Sequence, residues 1–313
     1  MAKTAALEIE GIDSGLRYGD LLAVLESQAA FSPKSNVAKR LTAGLDFVNG
    51  GFSDQQVALL RNRTVVQSLL TLVCRLIQSG KFETQEKRIA EFFEKFLGEL
   101  AHQVELGRQA TDTDYLDFQR TVNANVKSGP QTRQGILLRK LLAFDPSVID
   151  LFDAAAVAET GLSTAVRQDA TGISQRIADL NSQHSAKHGE DLFKATNKTV
   201  QARLAIGTPV KNYEEYKDLI EHMYFLFHEG VGNRLGGKTP RSFADVNTLR
   251  TELQHDVDHG VPAKVRAKKK KTGTVFERYS GVPSPVSLAP ERFLVVQSNL
   301  LSALKADLMG IVI

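Results

Sequence analysis

The sequence has a single cysteine, and it lacks any apolar stretch long enough to span a bilayer. One cysteine cannot form an internal disulfide, and Cys74 stands among leucines and a valine, as is typical of a core residue rather than a reactive thiol. No 18-residue apolar window occurs, and the first ten residues lack the apolar core of a signal peptide. We therefore expect a soluble protein of the reducing cytoplasm that does not enter a membrane.

The first half of the chain also lacks the alternating Val, Ile and Thr runs that are typical of β-strands. Helical spacing takes their place, and its clearest stripe consists of Ile89, Phe92, Phe93, Phe96, Leu97, Leu100 and Val104. With 313 residues, of which 42% are hydrophobic, the chain can bury two cores of ordinary size. We predict an all-α protein with an N-terminal helical domain at 1–158 and a second helical domain at 159–313.

Net charge is small, at +3, but it is unevenly distributed. Residues 262–279 carry seven basic side chains against Glu277, a local charge of +6, so the rest of the chain is about −3. We predict that residues 262–280 form a basic loop. Flexible cations beside a functional motif bind phosphates without reading base sequence, so such a loop would suit a phosphate backbone. We predict that Lys264, Arg266, Lys268, Lys269, Lys270 and Lys271 bind the phosphates of a nucleic acid; taken alone, the segment is equally compatible with a solvated surface loop.

Directly before this basic segment, residues 249–260 contain one arginine, two histidines and three carboxylates. Apolar residues around them recur at the spacing of a buried helical stripe, namely Val246, Leu249, Leu253 and Val257. Ser242 and Asp245 have the three-residue spacing of a capping box at the start of that helix. Gly260 and Pro262 are expected to end it, so the polar residues lie on its last three turns.

The arginine and the first histidine of this helix have the form Arg-x4-His. Five helical steps rotate by about 140° from a common face, so Arg250 and His255 converge only around a ligand lying across the helix or with a second chain. A guanidinium binds phosphate through parallel hydrogen bonds, and an imidazole exchanges protons near neutral pH. The alternative is that Arg250 pairs with a carboxylate at the rim of the core and that His255 is a solvated surface residue.

The Arg-x4-His motif, near the end of an all-α region of roughly 150 residues, resembles the HEPN superfamily. The resemblance covers residues 160–313 and implies a metal-independent endoribonuclease of toxin, abortive-infection or other antiphage-defence type, acting as a homodimer whose two motifs line one cleft. It also implies that Arg250 stabilises the phosphorane while His255 serves as acid or base. Many members carry Asn, Asp or His after the arginine, whereas this chain has Thr251. We predict supporting roles for Glu252, Asp256 and His259.

Two other functions remain open for the same residues. In a non-catalytic nucleic-acid-binding or interaction protein, the motif would be structural. Alternatively, His255 and His259 form an H-D-x-x-H string of the kind that can bind zinc on a helix. Our favoured interpretation needs no metal and no cofactor; its partners are RNA, a second copy of the chain and an antitoxin or regulatory protein.

A glycine-rich segment at 229–238 lacks the spacing of a nucleotide-binding phosphate loop, although Arg234 and Lys238 within it would suit an RNA path.

Overall fold

The computed structural model describes residues 2–11, 14–52, 60, 62–80, 82–123, 128–152, 161–254 and 262–313, with residues 254 and 262–264 described by their backbone alone. These residues form helices and no β-strand, which confirms the predicted all-α class. Packing divides the chain into two compact units, Met1–Phe144 with Val148–Thr160, and Asp145–Ser147 with Gly161–Ile313. None of the described helices has an apolar stretch long enough to cross a bilayer.

The first unit contains seven described α-helices, and their bounds are α1 Ala2–Glu10, α2 Tyr18–Ser27, α3 Asn36–Gly50, α4 Arg63–Gln78, α5 Glu86–Leu106, α6 Thr113–Thr121 and α7 Ser128–Phe144. The phenylalanine stripe lies on α5 and is buried as predicted from Ile89 to Leu100, whereas Val104 is 39% exposed at the end of the helix. Cys74 is buried on α4, and this burial raises the pKa of its thiol to about 12, in agreement with a core role.

The second unit is built from six described α-helices, α8 Leu162–His188, α9 Asn197–Ala205, α10 Tyr213–Tyr224, α11 Arg241–Gln254, α12 Pro262–Ser280 and α13 Phe293–Met309. One hydrophobic core joins them, and α8 and α13 pack along each other through it. The fully buried side chain of Gln297 on α13 bonds the backbone at Ile206, Thr208 and Val210, so the turn before α10 is fixed by that buried amide.

The motif helix α11 carries its apolar stripe into this core. Phe243, Val246 and Leu249 are buried at three-residue spacing, and Leu253 packs against them with partial exposure. The predicted capping box is wrong, because Ser242 already lies inside the helix. Its backbone N–H and hydroxyl both donate to the Oδ2 atom of Asp307 on α13, at 2.9 and 2.7 Å.

The carboxylate of Asp245, assigned to that capping box, bonds α12 instead. It accepts hydrogen bonds from the guanidinium of Arg278 and, at 2.8 Å, from the hydroxyl of Tyr279. Asp245 and Tyr279 are both buried, so a paired carboxylate ties α11 to the end of α12. The orientation of the motif helix is therefore set at its first two turns, by α13 on one side and by α12 on the other.

Candidate nucleic-acid interface

Arg250 lies near the described end of α11 and faces α10. Its Nε donates a hydrogen bond to Glu221 Oε2 at 3.2 Å, and the guanidinium carbon lies 4.4 Å from the centre of the Tyr224 ring. The side chains of Arg250 and Glu221 are 24% and 28% exposed. The described residues accept no hydrogen bond from Nη1 or Nη2, so both terminal amino groups remain available to an anion.

The Tyr224 ring that supports Arg250 is also stacked on His228. Their ring centroids are 4.9 Å apart and their planes differ by 14°. His228 belongs to one π-helical turn, Phe225–Glu229, in which the N–H of Gly230 bonds the carbonyl of Phe225 at 2.8 Å. π-Helical turns within α-helices occur frequently at functional sites. We call Arg250, Tyr224 and His228 the stacked trio.

In the stacked trio the guanidinium of Arg250 and the exposed imidazole of His228 both contact the Tyr224 ring. Surfaces of this kind bind unpaired bases by stacking, while an adjacent guanidinium binds the phosphate. Sequence analysis missed Tyr224 and His228 as members of the site, although their four-residue spacing within one helical stretch was visible. It could not identify Glu221, because only the packing of α10 against α11 brings that carboxylate to Arg250.

The structure does not describe the second half of the predicted motif. His255, Asp256 and His259 lie outside the described residues, and so does the H-D-x-x-H string. Within the described part of the chain, no group of three His, Cys, Asp or Glu side chains is arranged to hold a metal ion. The geometry that relates Arg250 to His255 therefore stays a prediction.

Comparisons with protein-family models, curated proteins and solved structures find no match. The HEPN relationship accordingly remains a hypothesis that rests on the Arg-x4-His spacing and its helical surroundings.

The segment 262–280, predicted as a basic loop, is helix α12, and its lysines lie on the first half of that helix. The prediction of a loop was wrong because Ala, Lys and Arg favour helix, Pro262 suits a first helical position, and Val275, Phe276 and Tyr279 anchor the second half in the core. The exposed basic side chains on this first half are those of Arg266, Lys268, Lys269, Lys270 and Lys271. The side chain of Lys264 is not described.

Three ammonium groups on this helix, those of Lys268, Lys270 and Lys271, make no hydrogen bond or ion pair with a described residue. Like charges three or four residues apart on a helix repel by about 0.2–0.5 kcal/mol a pair. A bound polyanion removes that repulsion and gains attraction, so the first half of α12 is electrostatically suited to a phosphate backbone.

Glu252 does not lie with Arg250. Two helical steps rotate it by about 200°, so it faces α12, where its carboxylate lies near Thr272 and Lys269. Burial raises the pKa of Glu252, and the contacts with Thr272 and Lys269 only partly oppose that rise. Glu252 therefore lies between α11 and α12 rather than beside the guanidinium, and its supporting role stays a prediction.

Proposed function

We propose that the second unit binds single-stranded RNA and cleaves it without a metal ion. In this proposal the exposed cations of α12 collect the phosphate backbone, the exposed ring of His228 stacks on an unpaired base, and Arg250 binds the scissile phosphate. The observation that carries the proposal is the state of Arg250, which is fixed through Nε and its flat face while its two terminal amino groups stay unbonded within the described structure.

The chemistry proposed is transfer within the RNA. The 2′-hydroxyl attacks the neighbouring phosphorus, the bond to the 5′-oxygen breaks, and the products are a 2′,3′-cyclic phosphate and a free 5′-hydroxyl. His255 acts as base or acid, by removing the proton of the attacking 2′-hydroxyl or by supplying one to the leaving 5′-oxygen. Arg250 stabilises the added negative charge on the phosphorane. A homodimer with both motifs in one cleft, and control by an antitoxin or regulatory partner, belong to the same proposal.

Glu221 favours a second candidate, a non-catalytic RNA-binding protein. A carboxylate already pairs with Arg250, as expected if the arginine only holds α11 against α10. The two candidates differ in the effect of removing the Arg250 guanidinium. In an enzyme, its removal stops RNA cleavage and leaves the protein folded. In a binding protein, its removal lowers thermal stability, and the wild type does not cleave RNA.

The deciding experiment compares Arg250→Ala with wild type on a labelled single-stranded RNA in the presence of EDTA. The matched control is Arg241→Ala, because Arg241 is exposed on the same helix and has no partner among the described residues. For an enzyme, wild type and Arg241→Ala cleave the RNA, and Arg250→Ala lowers cleavage by at least about 100-fold at a temperature where it is still folded. Absence of cleavage by wild type, together with a melting temperature lowered only in Arg250→Ala, would favour the binding protein.

A further inference from the structure

A cavity of about 780 Å³ lies at the opposite end of helix α11 from the motif. Its wall is formed by the end of α8, the glycine-rich turn before α11 and the end of α13, through residues that include His184, His188, Arg234, Lys238 and Asp307. Pro240, which also lines it, is ten residues from Arg250, or about 15 Å along the helix axis. The cavity is therefore separate from the stacked trio, and its volume lies within the usual range for small-molecule sites.

The lining of this cavity carries charges of both signs. Arg234 and Lys238 face Asp307, whose Oδ2 is bonded twice by Ser242, and Arg234 is itself paired with Glu190. Lys238 is exposed, and its ammonium group has no hydrogen bond or ion pair with any described residue. An anion entering the cavity would thus find an unengaged cation and a carboxylate already engaged elsewhere.

Arg234 is held rigidly in the wall. Its Nη1 donates to the carbonyls of Leu192, Gly230 and Val231 at 2.8–3.2 Å, and its Nε pairs with Glu190 at 3.1 Å. Its Nη2 makes no hydrogen bond with a described residue. A guanidinium fixed in this way loses little entropy when it binds a ligand.

Two stacked imidazoles complete the polar side of the cavity. The His184 and His188 rings are 4.5 Å apart, and Nδ1 of His184 lies 2.6 Å from the carbonyl oxygen of Glu190. A carbonyl accepts only, so Nδ1 carries the hydrogen and Nε2 of this buried ring is left for another partner. Apolar side chains provide the rest of the wall, among them Leu235, Pro240 and Ile311.

Two backbone N–H groups of the glycine-rich turn, those of Gly236 and Lys238, are bonded within the turn to the carbonyls of Asn233 and Leu235 and are not available to a phosphate. Positive φ angles at Gly236 and Gly237, 58° and 81°, instead allow the tight turn that brings Lys238 to the cavity. Recognition here would come from side chains.

We propose that this cavity binds a small phosphate monoester of nucleotide size. The ammonium group of Lys238 and the Nη2 group of Arg234 supply cationic donors, which match a phosphate with between one and two negative charges and three acceptor oxygens better than they match a carboxylate. The apolar wall takes the base or another flat apolar group. This site does not depend on the proposed ribonuclease activity.

The test is calorimetric titration of the full chain with adenosine monophosphate, ribose 5-phosphate and adenosine. Adenosine monophosphate should bind most tightly, with a dissociation constant below about 1 mM; ribose 5-phosphate should bind more weakly, and adenosine should show no measurable binding. Lys238→Ala should weaken the binding of adenosine monophosphate about tenfold because a charge-assisted hydrogen bond is lost, and Lys238→Glu should weaken it further. Lys211→Ala, the control at an exposed lysine outside the cavity, should leave the affinity within about twofold.

Three results would overturn this proposal. They are binding of adenosine as tight as that of its monophosphate, no binding of any of the three probes, and equal affinity for adenosine monophosphate in the Lys238 and Lys211 variants. A fourth result would reassign Lys238: if an RNA oligomer without terminal phosphates loses affinity in Lys238→Ala while adenosine monophosphate does not bind, the lysine belongs to an RNA path and the small-molecule site is rejected.

Discussion

The guanidinium of Arg250 lies 4.4 Å from the centre of the Tyr224 ring. This relationship orients the candidate catalytic arginine without using its terminal amino groups, and it makes Tyr224 a positioning residue for the proposed reaction. A cation–aromatic contact of this kind contributes about 1 kcal/mol.

Replacing Tyr224 should therefore show whether the aromatic face matters. Tyr224→Leu should lower RNA cleavage about fivefold, whereas Tyr224→Phe should retain most of the activity because the ring remains. Initial rates at subsaturating RNA measure the effect. Equal rates for the two variants would mean that the ring does not position Arg250.

The cations of α12 should control RNA affinity and its salt dependence. Changing Lys268, Lys270 and Lys271 to Gln removes about three phosphate contacts, so the slope of log affinity against log salt should become shallower by about 2. Fluorescence anisotropy over a salt series gives that slope. The matched control is the triple Gln variant of Lys34, Lys39 and Lys87, three exposed lysines of the first unit with the same charge change. The same loss of slope in both triples would show a general charge effect and no site on α12.

Glu252 should behave as a half-buried carboxyl rather than as a catalytic group. Its pKa is raised in the folded protein, so its ionisation costs stability as pH rises through that pKa, and the protonated form is the better tolerated. Glu252→Gln should consequently be at least as stable as wild type at pH 7, and the difference should vanish below about pH 4. Melting temperatures over this pH range test the prediction, and a variant that is markedly less stable at pH 7 would contradict it.

Asp114 in the first unit should contribute stability with the opposite pH dependence. Burial opposes its ionisation, but Lys140 and Arg139 outweigh burial and hold its pKa at about 2. This stabilisation is present above the ordinary aspartate pKa and is lost as pH falls towards 2. Asp114→Asn should cost about 2 kcal/mol at pH 7 and little near pH 2. Denaturant titrations at both pH values provide the measurement; Asp117→Asn, at a half-exposed carboxylate, is the control.

The sequence predicted the parts of this protein that depend on periodicity. The all-α class and the buried stripes of α5 and α11 follow from apolar residues at three- and four-residue spacing. The basic segment was misjudged because a run of charge is equally compatible with a loop and with a helix. Anchoring by Phe276 and Tyr279 in the core decides between the two, and that depends on tertiary packing.

The candidate site was predictable only in part. Arg250 was identified from its spacing to His255, and pairing with a carboxylate at the rim of the core was one of the two expected arrangements. The identity of that carboxylate, Glu221, depends on how α10 packs against α11. The capping box failed because Asp307 and Arg278, distant in sequence, bond the two residues assigned to it.

The most direct test of the central proposal is cleavage of tRNA in EDTA by wild type and by His255→Ala, with analysis of the product ends. His102→Ala is the matched control, because His102 is exposed in the first unit and has no partner among the described residues. We predict 2′,3′-cyclic phosphate ends from wild type and from His102→Ala, and a loss of at least about 100-fold in His255→Ala. Cleavage by His255→Ala at the wild-type rate, or intact tRNA after incubation with wild type, would contradict the proposal.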